Sequence, residues 1–560
     1  MADPVGTTRR IELEDAARTI TRARDLLVRE HAVKRLNDRD ASLWSVHQEV
    51  QRQIEDSLGW LGVAEPMAAV WPELVEFRDG LRQDGFTHAV LLGMGGSSLI
   101  SILWTKTFQP GPEALTLQVL DSTDPEVVLH LGEQLPLGRT LFMVASKSGT
   151  TTEPNAFHRY YWKLMEDAGQ DPRSSFVAIT DPGTSLAAEA DRGGWRHVFL
   201  NPPDIGGRYS ALSLFGLLPA CLMDLDGPAI LAAARAMRED LRQDGAENPA
   251  LELGAILGGA VQGGRDKVTL LCTPRLSAFA TWLEQLLAES TGKSGTGIVP
   301  VAESSTAAPA VYGQDRLLVR IRLADEPDDG SSFMEALRGH PRVEFSLGSV
   351  TDLGAEFLRW EAATALAGRV LGINPFDQPN VQESKDNTRD MLKVVEDEGR
   401  LPDVEGAPGL HATSPALGPL LSGWLSGIEP GSYVAIMAYL PYGPSVDEGL
   451  HALQLLLRDR LRVAVTSGYG PRFLHSTGQM HKGGPASGRY LQLTAAAERM
   501  KGLPVPGSPY TFNTLIQAQA AGDLKALVGR GRPVMTVNLG GNPGAGLELV
   551  LNALRDVLPG

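Results

Sequence analysis

Ala89-Val90-Leu91-Leu92-Gly93-Met94-Gly95-Gly96-Ser97-Ser98 decides how the chain is read. Four apolar residues run into glycines and hydroxyls, and Leu99, Ile100, Ile102 and Leu103 then recur at helical spacing. A short buried strand turning tightly into a helix is the building block of a parallel sheet with crossover helices. The same texture recurs in LTLQVLDS (115–122), TLFMVASKSGTT (140–151), FVAITDP (176–182) and WRHVFLN (195–201). A second series is KVTLLCTP (267–274), RLLVRIRL (316–323) and VEFSLG (343–348), followed by a long helix near 352–371. A third is YVAIMAYL (433–440), RVAVTSG (462–468), RYLQLT (489–494) and PVMTVNL (533–539). Before the first series, Leu26, Leu27, Val33, Leu36, Ile54, Leu58 and Leu61 recur at helical spacing among charges. The expected division is a helical segment at 1–80 and α/β domains at 81–245, 246–400 and 401–560. No residue-level period makes them a repeat array. The stretch 324–330, ADEPDDG, reads as a solvated acidic loop.

The 560 residues are 43% hydrophobic and 21% charged, enough apolar material for several cores. A formal charge of −16 opposes binding to nucleic acid or an anionic membrane, so an anionic substrate needs a locally positive pocket. Cys221 and Cys272 both lie in apolar stretches, which suits buried thiols in a reducing compartment. With no long apolar run and no apolar leader, a cytoplasmic protein is expected.

Five strings carry candidate chemistry. Gly93-Met94-Gly95-Gly96-Ser97-Ser98 lets backbone N–H groups at a helix start approach an anion, although a purely structural turn would look the same. Ser98 stands where a dinucleotide fingerprint needs glycine. Ser146-Lys147-Ser148-Gly149-Thr150-Thr151-Thr152 brings five hydroxyls and a cation to another strand end, as phosphate recognition requires. In Gly206-Gly207-Arg208-Tyr209-Ser210, an always-charged planar fork follows two glycines and suits an anionic intermediate. Gln285 and Glu289 share one helix face at i,i+4, and a carboxylate near a helix C-terminus feels an unfavourable dipole that favours a general base. Asn374-Pro375-Phe376-Asp377-Gln378 turns into a helix whose Lys385 lies about two turns on, with Gln378 placed to meet phosphate oxygens.

In this order, the GxGGSS, SKSGTT, GGRYS, Q-x-x-x-E-S-x-G-K and N-P-F-D-Q-(x)6-K strings resemble the glucose-6-phosphate isomerase (phosphoglucose isomerase) family over roughly residues 85–390. The resemblance implies tandem doubly wound sugar-isomerase (SIS) α/β domains. It assigns Gly96, Ser97, Ser146, Lys147, Ser148, Thr151, Gln285 and Gln378 to the substrate phosphate. Gly207 and Arg208 would face the developing negative charge, Glu289 would move the proton, and Lys385 would assist at the ring oxygen. Two departures stand out: Asn380 replaces the usual Gly or Ala, and Ala310 falls where a ring-opening histidine is expected in an H-S-x-G-Q-like string. Such a string occurs much later, as His475-Ser476-Thr477-Gly478-Gln479, and the third α/β unit is similar to the isomerase portion fused behind transaldolase in some bacteria. His475 then either replaces the missing group or is part of a Gly-rich structural loop.

The activity this implies is reversible glucose 6-phosphate to fructose 6-phosphate isomerisation through an enediolate. Alternatives are a dual phosphoglucose/phosphomannose isomerase and a non-catalytic sugar-phosphate-binding regulator. No metal and no cofactor are expected. The expected partner is a small-molecule sugar phosphate, with no nucleic acid or membrane, and a homodimer is the candidate assembly.

Overall fold

The computed structural model describes residues 7–558 apart from 304, 328–329, 403, 407–408, 497–498 and 500–501. Part of the expected acidic loop at 324–330 therefore lies outside the described residues.

Strand β1 (Thr8–Glu12) opens the described chain, ahead of the helices expected there. A parallel sheet follows from β2 (His88–Gly93), β3 (Thr116–Leu120), β4 (Thr140–Ala145), β5 (Phe176–Thr180) and β6 (His197–Leu200), ordered β3-β2-β4-β5-β6. All six residues of β4 are buried, as suits a parallel strand covered on both faces. The second sheet uses β7 (Lys267–Cys272), β8 (Val299–Glu303), β9 (Arg316–Leu323) and β10 (Arg342–Leu347), ordered β1-β10-β9-β7-β8, with β1 antiparallel at the edge. The third is wholly parallel: β11 (Gly409–His411), β12 (Tyr433–Tyr439), β13 (Ala464–Tyr469), β14 (Gly488–Thr494) and β15 (Val534–Asn538), ordered β11-β15-β14-β12-β13.

Numbering from β2, β7 and β12 as first strands, every sheet runs second-first-third-fourth, with a fifth strand beside the fourth. That fifth strand is β6 in the first sheet, the chain's opening strand in the second and the preceding β11 in the third. The three series read from apolar runs are thus one topology built three times. In each, the order reverses between the first and third strands, where ligands of open α/β sheets bind.

The chain forms two compact units. Unit 1 is Met1–Asp121, Leu135–Ser304 and Arg316–Asp377, and unit 2 is Ser122–Gln134, Ser305–Asp315 and Gln378–Gly560. In unit 1 a single apolar cluster runs through both sheets. Its spine is the helix Leu353–Leu371, almost wholly buried against the helices Gly227–Leu241, Pro249–Gln262 and Ser277–Thr291. Leu27, Val33, Leu36, Ile54, Leu58 and Leu61 of the early helices join the cluster, as their spacing predicts.

Unit 2 has its own core, with Val434, Ile436, Leu491, Leu493, Met535 and Val537 on one face of the sheet. The alternation of strand side chains sends Tyr433, Tyr490 and Gln492 to the other face. There the hydroxyls of Tyr433 and Tyr490 bond at 2.8 Å, and Gln492 donates to the Ala520 carbonyl at 3.0 Å.

Candidate active site

Gly93 of β2 and Ala145 of β4 are paired in register, so the GMGGSS and SKSGTT loops leave neighbouring strands at one level. Gly95 has φ 55°, and the helix Gly96–Thr107 starts after it. Gly96 lies so close to the third loop that a Cβ would sit 2.0 Å from the Gly207 carbonyl oxygen and 3.1 Å from the Arg208 nitrogen. Only a residue without a side chain allows the GxGGSS and GGRYS loops to touch. Ser97 is half-buried; buried Ser98 donates to Asp121 at 3.2 Å.

In the second loop, Ser146 Oγ donates to Thr151 Oγ1 at 2.9 Å, and the exposed Ser148 hydroxyl lies 3.1 Å from that of Thr150. Gly149 takes φ +68° with Thr184 Cβ and Leu186 N both 2.9 Å from where its Cβ would be. Lys147 is engaged: its Nζ pairs with Asp181 and donates to the Pro203 carbonyl at 2.8 Å. Burial raises the Asp181 carboxyl above its ordinary range, against the pull of Lys147.

The helix Ser277–Thr291 supplies the other half of unit 1's arrangement and packs on Gly96–Thr107. Its i,i+4 pair meets directly, with Gln285 Nε2 donating to Glu289 Oε2 at 3.1 Å. Arg208 Nη1 lies 3.3 Å from Glu289 Oε1, and both side chains are at least nine-tenths buried. The rest of the Arg208 fork is spent on position: Nε donates to Ser290 Oγ at 2.7 Å, and Nη2 donates to the carbonyls of Pro375 at 2.6 Å and Asp377 at 3.2 Å. Tyr209, stacked on Trp60, bonds the same Ser290 hydroxyl, and burial pushes its phenol up to about 12.

The pattern reading assigned no role to Lys293, Ser290 or Asp377. Lys293 is buried and donates to Asn374 O at 2.8 Å, Asp377 O at 2.5 Å and Asp377 Oδ1 at 2.7 Å. Burial, then the nearby Arg208, lowers its ammonium to about 8. The available signal was its place immediately after the helix-ending Gly292. Glu361 has no such signal: it lies inside a buried helix, and burial raises its carboxyl well above the ordinary range.

Gln378, Lys385 and His475 belong to unit 2. Gln378 caps the helix Pro379–Glu398 and is exposed, as is Lys385 along it. His475 is not in an extended loop. It ends the 3-10 turn Arg472–His475, half-buried, because Phe473 and Leu474 are buried and Phe473 packs edge-on against Tyr439, 5.4 Å between centroids.

A carboxylate held between an amide and a guanidinium, beside hydroxyl-rich strand ends of a doubly wound sheet, defines a sugar-phosphate isomerase class of protein. Comparison with known proteins narrows the class. Residues 76–316 match the family model described as phosphoglucose isomerase. A probable glucose-6-phosphate isomerase of Natronomonas pharaonis is 30% identical over 403 residues, covering 65% of this chain and 92% of that one. A glucose-6-phosphate isomerase of Rubrobacter xylanophilus is 29% identical over 364 residues, covering 56% and 84%. The solved glucose-6-phosphate isomerase of Chlamydia trachomatis shares the fold with TM-score 0.54 and 20% identity, over 70% of this chain and 90% of that one. The chain belongs to the phosphoglucose isomerase family.

Proposed function

We propose that the chain interconverts glucose 6-phosphate and fructose 6-phosphate with Glu289 as the base. The observation that carries this reading is the Gln285–Glu289–Arg208 cluster: a buried carboxylate oriented on one oxygen by an amide and faced on the other by a fixed cation. Glu289 takes the proton from C2 of the open-chain aldose. The C–H electron pair becomes the C1–C2 double bond, and the negative charge passes to the C1 oxygen. The same carboxyl returns its proton to C1 as the C2 hydroxyl proton passes to the C1 oxygen and the C2 oxygen becomes the carbonyl. No electrons leave the substrate. Arg208 is already anchored to Ser290 and Pro375, so its charge meets the enediolate without reorganising, an effect typically worth about 3–4 kcal/mol.

In this reading Gly96, Ser97, Ser146, Lys147, Ser148 and Thr151 bind the phosphate with Gln285 and Gln378, Gly207 flanks the anion with Arg208, and Lys385 and His475 serve ring opening. A regulator that only bound sugar phosphate would have no use for a buried base paired in this way. We also propose a cytoplasmic homodimer. Support for the compartment comes from two unbonded thiols, Cys221 buried and Cys272 half-buried, both raised to about 12 by burial and so unreactive.

Glu289→Gln tests the assignment. Turnover should fall about 10²–10⁴-fold, while competitive inhibition by inorganic phosphate persists, because the amide keeps the shape and cannot take a proton. Turnover above about a tenth of the parent's would overturn the role of Glu289.

A further inference from the structure

The turn 374–377 receives two buried cations. Lys293 Nζ donates to Asn374 O at 2.8 Å, to Asp377 O at 2.5 Å and to Asp377 Oδ1 at 2.7 Å, so the three protons of its ammonium meet three acceptors. Arg208 Nη2 donates to Pro375 O at 2.6 Å and also to Asp377 O at 3.2 Å. One carbonyl oxygen, that of Asp377, therefore accepts from both side chains. Lys293 is 4% exposed and Arg208 3%, and two like charges can sit this near each other inside a protein when fixed acceptors face both.

Both sides of this grip are held by their own neighbours. Lys293 follows Gly292, the cap of the helix that carries Glu289. Its N–H donates to the carbonyls of Thr291 at 2.8 Å and Thr296 at 3.1 Å, and its carbonyl accepts from the Thr296 N–H at 3.1 Å. Ser294 at φ 55° and Gly295 at φ 78° close the reversal between them, which fixes Lys293 at the start of a tight turn. Across from it, Gly368 leaves room for Pro375, since a Cβ there would fall 2.9 Å from Pro375 Cβ. Phe376 is buried against Tyr209 and edge-on to Trp44, with centroids 5.5 Å and 5.1 Å away, and its N–H donates to Asn374 Oδ1 at 3.0 Å.

The guanidinium of Arg208 is planar, so fixing Nε on Ser290 and Nη2 on the turn also fixes the direction of Nη1, the nitrogen 3.3 Å from Glu289. A shift of the Pro375 or Asp377 carbonyl swings Nη1 with it. We propose that Lys293 is a positioning residue: it holds the 374–377 turn as the seat of Arg208, and so aims that cation at the charge developing beside Glu289. The inference rests on the isomerase reading above. Lys293 spends its ammonium protons on the turn and acts through Arg208.

The test separates the enediolate from the phosphate. The carboxylate of arabinonate 5-phosphate mimics the two enediolate oxygens, whereas inorganic phosphate reports the phosphate groups alone. Lys293→Met should lower kcat on glucose 6-phosphate at least about tenfold with KM within about twofold. Inhibition by arabinonate 5-phosphate should weaken about as much as kcat falls, while inhibition by inorganic phosphate stays within about twofold. Asp377→Asn keeps the backbone carbonyls and an oxygen for Lys293, and should cost less than about threefold. In an Arg208→Met background there is nothing left to aim, so adding Lys293→Met should cost less than about twofold more. If Lys293→Met fails to fold, Lys293→Gln, with two donors left, carries the same comparisons. Parental kcat, equal weakening of both inhibitors, or losses that multiply in the double variant would overturn the proposal. Unchanged turnover in Glu289→Gln would instead sink the isomerase reading itself.

Discussion

Gly93 and Ala145 end neighbouring first and third strands in one sheet; Tyr439 and Thr494 end the corresponding strands in another. After the first pair come Met94-Gly95-Gly96-Ser97 and Ser146-Lys147-Ser148-Gly149-Thr150-Thr151. After the second come Leu440-Pro441-Tyr442-Gly443 and Ala495-Ala496. Unit 2 does have a half-open cleft there, lined by Tyr439, Thr494, Ala496, Asn513 and Gln517. Its one lining cation, Arg499, is already paired with Asp124 at 2.6 Å and with Glu126. The same strand order therefore ends in hydroxyl-rich loops in one place and in Pro, Tyr and Ala in the other, while the cation at each, Lys147 and Arg499, is already paired with a carboxylate. Fold supplies the crevice, and the loop residues decide whether an anion can enter it.

If the contrast lies in the loops, breaking their contact should hurt most. Gly96→Ala places a methyl 2.0 Å from the Gly207 carbonyl, so the GxGGSS and GGRYS loops must part. Misplacement of about 1 Å costs on the order of 10²-fold in kcat/KM, measurable in a coupled assay. A variant with parental kcat/KM would show that the two loops do not act together.

A smaller effect sharpens the same contrast. If Lys147 and Thr151 bind the phosphate as proposed, Lys147→Ala with Thr151→Ala should raise KM and the inhibition constant of inorganic phosphate about tenfold with little change in kcat, since that part of the substrate does not react. Arg499→Met in unit 2 should lower thermal stability by exposing the buried Asp124 carboxylate to an unpaired state, with KM and phosphate inhibition unchanged. Should Arg499→Met raise KM as Lys147→Ala does, the unit 2 crevice is also an anion site.

How far the sequence could be read follows physical lines. Interior parallel strands such as β4 and β12 are buried on every residue, so they stand out as apolar runs closed by Gly, Ser or Pro. The strands it did not show are edges. β1 is Thr-Arg-Arg-Ile-Glu, β8 carries Pro300 and pairs on one side only, and β11 is three residues long; charge, proline and brevity are what edges tolerate. At the site, Gln285 and Glu289 were legible because helix geometry fixes i,i+4 neighbours. The Arg208 and Lys293 grip on the 374–377 turn was not, because its acceptors are mostly backbone carbonyls far along the chain. Nor was the hydrogen-bonded pair of Asn380 and Gln479, since nothing local to either residue names the other.

The smallest effect separates the interiors of the two units. Each buries a neutral histidine: His158 among Phe176, Trp162 and Trp195 in unit 1, and His481 against Phe473 and Tyr490 in unit 2. Burial, then Arg159, lowers His158 to about 4; burial, then Lys482 and Arg532, lowers His481 to about 3. The unfolded chain takes up each proton near 6.5, so between that value and the folded one the unfolded state binds more protons. Stability is therefore complete above about pH 6.5 and falls as pH drops below it. For one such histidine the loss between pH 7.5 and 6 is about 0.8 kcal/mol, set almost entirely by the unfolded value. Hydrogen exchange at β14 and β5 reads the two units separately. His481→Phe should flatten the pH dependence at β14 by that amount and leave β5 sloped, with kcat/KM at pH 8 little changed, because His481 is packed in the unit 2 interior. A loss of kcat/KM on glucose 6-phosphate, with the β14 slope intact, would overturn the structural role of His481.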